Sequence, residues 1–187
     1  MHLAFFFFDF KDAGKQDARA LLSSIIVQLS TRSVGFFDVL LGFYSAHRNG
    51  KQQPNISELT ECLEDMLKIQ EELPIHLVID AIDECPNTTG MPSSRDQVMA
   101  LLERLVILKL PNLRICVTSR PEADIRIFLE PLTSTSNTMS LHDESGQKKD
   151  IINFVTSKVR SDRNMRRWRE ADQELVISTL SAKTDGM

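Results

Sequence analysis

His76-Leu77-Val78-Ile79-Asp80-Ala81-Ile82-Asp83-Glu84 is an apolar run that stops abruptly in acid. Its strand part, Ile75 to Ile79, lacks the polar alternation of a half-solvated strand. A strand covered on both faces has this composition, and helix-covered parallel sheets contain such strands. Two more runs of the same kind flank it in sequence: Leu3-Ala4-Phe5-Phe6-Phe7-Phe8 and Leu113-Arg114-Ile115-Cys116-Val117-Thr118. A weaker fourth strand is expected at Thr138-Met139-Ser140-Leu141.

Helical periodicity fills the intervals. Leu21, Leu22, Ile25, Ile26 and Leu29 form one stripe of a helix from Ala18 to Leu29. Val34 to Phe43 reads as a second helix. Asn55-Ile56-Ser57-Glu58 resembles a capping box ahead of Leu59, Leu63, Met66, Leu67 and Ile69. Val98 to Leu108 supplies another helix, and Pro111-Asn112 turns the chain into the next strand. Strands separated by such helices imply right-handed βαβ units and a parallel sheet. The expected class is therefore α/β. After Leu141 the pattern becomes helical, at Asp150 to Val159 and Glu174 to Leu180, around a basic stretch from Arg160 to Arg169. Residues 1–141 are expected to form the sheet core and residues 142–187 a smaller helical tail.

The composition sets limits on function. The 187 residues carry 22 Lys and Arg against 26 Asp and Glu, a net charge of -4, with 42% hydrophobic and 26% charged residues. That is ordinary globular usage and argues against disorder or a coiled coil. The mild acidity gives no reason to expect nucleic-acid or membrane partners. The basic stretch, with Trp168 alone for base stacking, reads as a solvated helix face. Three cysteines without C-x-x-C fit a reduced compartment. The amino-terminal apolar run is short, lacks a positive flank and is broken by Asp9, so a signal peptide is not expected there. A cytoplasmic protein is expected.

Ligands of open parallel sheets collect beyond the carboxyl ends of the strands. Those ends are Asp9-Phe10-Lys11-Asp12, Asp80-Ala81-Ile82-Asp83-Glu84 and Thr118-Ser119-Arg120-Pro121. Asp80 at a strand tip suits Mg²⁺, which keeps several waters and takes few carboxylates. Asp83 and Glu84, one turn later, are placed to orient a water. Ser119 and the planar fork of Arg120 suit phosphate oxygens. The bland alternative is a solvated acidic loop, with Arg120 paired to Glu122 or Asp124. The four His residues are isolated and support neither metal binding nor acid-base catalysis.

In type and order, these segments resemble the NACHT-type P-loop NTPases of the STAND class. The likeness is greatest to the nephrocystin-3-like N-terminal domain of large fungal NOD-like receptors. The resemblance implies that Leu3 to Asp12 is the family's aromatic strand and loop, and Leu77 to Pro86 its Walker B segment. Asp80 would then serve Mg²⁺, and Asp83 and Glu84 the attacking water. Ile115 to Pro121 would be the sensor 1 strand, with Ser119 and Arg120 near the terminal phosphate of ATP or GTP. Lys183 to Met187 is similar to the start of a segment in the family's helical part. The implied fold is an incomplete parallel P-loop NTPase sheet flanked by helices and followed by a helical tail.

One departure outweighs the match. No stretch reads G-x-x-x-x-G-K-[ST]; Gly14-Lys15 and Gly50-Lys51 are each followed by Gln. In the family this P-loop precedes the aromatic strand, so here it would lie before Met1, and the chain is expected to be cut at both ends. The expected function is a partial nucleotide-binding module, not competent for hydrolysis alone. The competing expectation is a non-catalytic interaction or scaffold module that engages protein partners or itself. A phosphotransferase with Asp9 as nucleophile fits poorly, because Lys11 stands where a second Asp is needed.

Overall fold

A computed structural model of the chain describes residues 1–69, 73–87, 92–140 and 145–182. It divides into two units, Met1–Thr133 and Ser134–Met187. The first holds a three-stranded parallel sheet in the order β1 (His2–Phe7), β2 (Ile75–Asp80), β3 (Leu113–Val117). Phe5 lies opposite Val78, and Val78 opposite Cys116. Helices α1 (Ala18–Ser30), α2 (Val34–Ala46) and α3 (Ile56–Lys68) connect β1 to β2. Helix α4 (Ser94–Ile107) connects β2 to β3, and α5 (Ala123–Leu129) follows. The class is α/β, with the three strands predicted from their apolar runs.

Caps place the helix starts. Asp17 and Ser33 accept from the N–H groups of Ala20 and Phe36. Asn55 and Glu58 form the predicted capping box, at 2.9 and 2.6 Å. Ser93 and Asp96 form another, not anticipated, so α4 begins before the apolar pattern does. Such caps satisfy amide groups that a helix leaves unpaired at its start.

α1 packs against α3 and α4 as well as β1, so both crossovers lie on one face of the sheet. The α1 stripe is fully buried beneath that contact. The strands supply His2, Ala4, Phe6, Ile75, Leu77 and Ile79 to the same core. The opposite face differs from expectation. Phe5 and Phe7 are 42% and 49% exposed, and Cys116 is exposed as well. Within the first unit this second face is exposed at Phe5, Phe7 and Cys116 and only half-buried at His76 and Val78, although the strands have the composition of strands covered on both sides.

The two sheet edges are also unlike. On β1, the side-chain amide of Gln28 accepts from the Phe5 N–H at 3.0 Å and donates to the Phe5 carbonyl at 2.7 Å. It mimics a neighbouring strand and blunts that edge. Beyond β3 no strand pairs among the described residues. The fourth strand is not formed: Thr138 to Ser140 have no strand structure, and Leu141 lies outside the described residues.

The second unit pairs α6 (Ser145–Ser161) with α7 (Glu170–Ala182), burying Val159 and Ile177. Both predicted tail helices fall inside these. Arg160 bridges to Glu174 at 2.8 Å and Arg169 to Asp172 at 3.2 Å, so part of the basic stretch is neutralised locally. The segment from Lys183 to Met187 lies outside the described residues. No helix among the described residues is long and apolar enough to cross a membrane.

Two measurements test the one-sided sheet. Burial pushes the thiols of Cys62 and Cys85 up to about 11, while Cys116 is exposed. Since the thiolate is the reactive form, a disulfide reagent at mildly alkaline pH is expected to modify Cys116 promptly and the other two only after denaturation. Protection of Cys116 in the native chain would contradict an open face. The exposed apolar face and unpaired edge also predict self-association; a monodisperse monomer in size-exclusion chromatography would count against it.

Candidate functional site

The carboxyl ends of all three strands meet at one rim, joined by direct hydrogen bonds. Asp80 closes β2, and its carboxylate accepts from the Thr118 hydroxyl. The same hydroxyl accepts from the Ala81 N–H at 3.0 Å, and the Ile82 N–H donates to the Thr118 carbonyl at 3.1 Å. Ala81 adopts the left-handed conformation, with φ 57° and ψ 50°. That turn re-aims the chain into a short 3-10 turn, Ile82–Glu84, which carries the two further acids.

Asp83 is only 7% exposed at its side chain. It accepts from the Arg120 N–H at 2.9 Å, and the Arg120 Nε lies 3.4 Å away. The rest of the Arg120 side chain reaches into solvent, 78% exposed. Glu84 accepts from the Phe10 N–H at 3.2 Å, which ties the end of β1 into the rim. Asp9 accepts from the Lys11 N–H at 2.9 Å, and Asp12 caps the next turn through the Gly14 N–H. Ser119 turns inward on its own segment and donates to the Arg120 carbonyl at 2.8 Å. The structure thus joins Asp83 to Arg120, Asp80 to Thr118 and Glu84 to β1, while the Ser119 hydroxyl stays apart from the acids.

Sequence reading missed the residue behind this rim. Arg95, in the first turn of α4, is 5% exposed. Its Nε donates to the Cys85 carbonyl at 2.9 Å and its Nη2 to the Asp83 carbonyl at 2.6 Å. Its Nη1 binds Glu122 and, at 3.0 Å, Asp124. Glu122 and Asp124 therefore serve Arg95, not Arg120. Burial works against the charge on Arg95, but bonds from Glu122 and Asp124 prevail and raise its pKa above the usual guanidinium value. One signal was present in the sequence: a cation in the first turn opposes the helix dipole, and such a residue needs anionic partners elsewhere.

Phe10, Glu84, Arg95, Arg120 and Glu122 help line an open cleft of about 470 Å³ beside the rim. Among the described residues no group of three or more His, Cys, Asp or Glu is placed to hold a metal ion. A single strand-tip carboxylate is nonetheless compatible with Mg²⁺ that retains water and borrows phosphate oxygens.

The family model for nephrocystin 3, N-terminal, matches residues 1–120. The chain belongs to the nephrocystin 3 N-terminal family. The family match spans all three strands and stops at Arg120, so the whole rim up to that residue lies within it. No curated protein and no solved structure matches the chain.

The rim's local energetics are testable. A left-handed conformation costs an L-residue roughly 1–2 kcal/mol, part of which Gly returns as unfolded-chain entropy. Ala81→Gly is therefore expected to raise stability by up to about 1 kcal/mol. Thr118→Val removes the acceptor of the Ala81 N–H at an exposed site and is expected to lower stability by about 0.5–1.5 kcal/mol. Urea unfolding measures both; equal and small effects would show that the turn is not held by Thr118.

Proposed function

We propose that this member of the nephrocystin 3 N-terminal family is a partial nucleotide-binding module of the STAND class of signal-transduction NTPases. In this reading β2 and its acids are the Walker B segment and β3 the sensor 1 strand. Asp80 would hold Mg²⁺, Asp83 and Glu84 would orient water, and Ser119 and Arg120 would face the terminal phosphate of ATP or GTP. The observation that supports it is the convergence of Asp80, Asp83 and Arg120 at adjacent strand ends, with most of the Arg120 side chain left in solvent.

The residues fit half of such a site. A carboxylate for the hydrated cation and a guanidinium for phosphate are present. The glycine-rich loop whose N–H groups and Lys hold the phosphates has no counterpart in the sequence. The acids that remain repel a triphosphate unless a divalent cation accompanies it. Hydrolysis by this chain alone is therefore not expected.

A second reading, an interaction or scaffold module derived from such a domain, has its own support. Val34, Phe37, Leu41 and Tyr44 of α2 are exposed at helical spacing, in addition to the open sheet face. The rim acids are also already partnered within the chain.

Titration with a fluorescent ATP analogue and Mg²⁺ is expected to show no saturation in the micromolar range; micromolar affinity would overturn the half-site reading. At millimolar ATP with Mg²⁺, amide NMR shifts are expected only around residues 80–84 and 118–120. Their absence would favour the interaction module.

A further inference from the structure

Arg95 stands behind the rim, nearly enclosed at the floor of the open cleft. It is the most enclosed cation of the first unit, and its guanidinium is shared between two loops. Two of its bonds go to main-chain carbonyls of the acid turn, at Asp83 and Cys85. Two go to carboxylates at the start of α5, just beyond Arg120. The Arg95 N–H adds a bond to the Pro86 carbonyl at 3.2 Å. Asp124 is further held by the Asn87 amide at 3.0 Å, and Asn87 accepts from the Ser93 hydroxyl at 3.1 Å. The cap of α4, the acid turn and the segment after β3 thus form one polar network centred on a single side chain.

We propose that Arg95 is a positioning residue: by gripping the carbonyls of the acid turn and the carboxylates after β3 together, it sets the register in which Asp83 meets Arg120. The acceptors lie in different directions, two along the turn and two across it. A planar fork with several fixed donors matches them, and a point charge on a flexible stem does not. Arg95 contacts neither the Asp83 carboxylate nor Arg120 in any bond described above, so its effect on their pairing is transmitted through the Asp83 main chain. It gains a role in phosphate sensing only if the rim is the half-site proposed above, whereas the coupling itself is measurable without nucleotide. Failure of one therefore leaves the other standing.

The three cysteines supply the readout. Cys85 sits in the gripped turn and is fully buried; Cys62, on α3, is buried in the same core but distant from the network in sequence and contacts. Native-state alkylation of the full chain, read for each cysteine by mass spectrometry, separates local opening from global unfolding. Arg95→Lys is expected to speed labelling of Cys85 by roughly 10- to 100-fold, the loss of bonds to a charged group, while Cys62 changes little. In ¹⁵N spectra of arginine side chains, the Arg120 Nε–H signal is expected to move toward its position in the Asp83→Asn variant. A parallel rise of both cysteines, an unchanged Cys85, or an unmoved Arg120 signal would each overturn the proposal. Should Arg95→Lys fail to fold, Glu122→Gln retains the guanidinium and three of its acceptors. It is expected to give a smaller Cys85 acceleration, an unchanged Cys62 and an Arg120 shift of the same sign; absence of these would overturn the proposal equally.

Discussion

β2 must do two incompatible things within six residues. Ile75, Leu77 and Ile79 enter the core under the helices, and Asp80 immediately afterwards has to be delivered to a solvated rim. The Thr118 hydroxyl reconciles them by accepting the Ala81 N–H and donating to the Asp80 carboxylate, so the chain leaves the core with its polar groups satisfied. The left-handed turn at Ala81, the 3-10 turn that follows and the meeting of Asp83 with Arg120 all depend on that exit. Strain at a strand tip of this kind persists where surrounding bonds over-determine it.

The same economy runs through the rest of the rim. Asp80, Asp83 and Glu84 each have a donor from another segment: Thr118 for Asp80, the Arg120 main chain for Asp83, the Phe10 main chain for Glu84. These bonds span β1, β2 and β3, so the rim acts as a clasp across the sheet as well as a candidate half-site. Arg95 carries the second layer of that clasp. Its charge is sustained by Glu122 and Asp124 against the cost of burial.

The two faces and two edges of the sheet are treated differently. One face is buried beneath α1, α3 and α4, while the other presents Phe5 and Phe7. One edge is closed by the Gln28 amide, while the edge at β3 is not matched by a further strand among the described residues. Membership of the nephrocystin 3 N-terminal family, over residues 1–120, covers this entire asymmetric sheet.

Element type was readable from the chain because it depends on local periodicity. The α1 stripe at Leu21, Leu22, Ile25, Ile26 and Leu29, the Asn55–Glu58 cap and the three apolar runs each encode their own structure. The acids at the strand ends were legible too, since a parallel sheet places every carboxyl end on one side. Three things were decided only by tertiary contacts. The open face could not be read, because apolar composition reports what a strand can bury and not what lies over it. The absent strand at Thr138 to Ser140 had too few apolar residues for local pattern to outweigh context. And the role of Arg95, marked in the sequence only as a cation near a helix start, was not legible, because its partners at Asp83, Cys85, Glu122 and Asp124 lie 10 to 29 residues away and meet it only when β2 and β3 are paired.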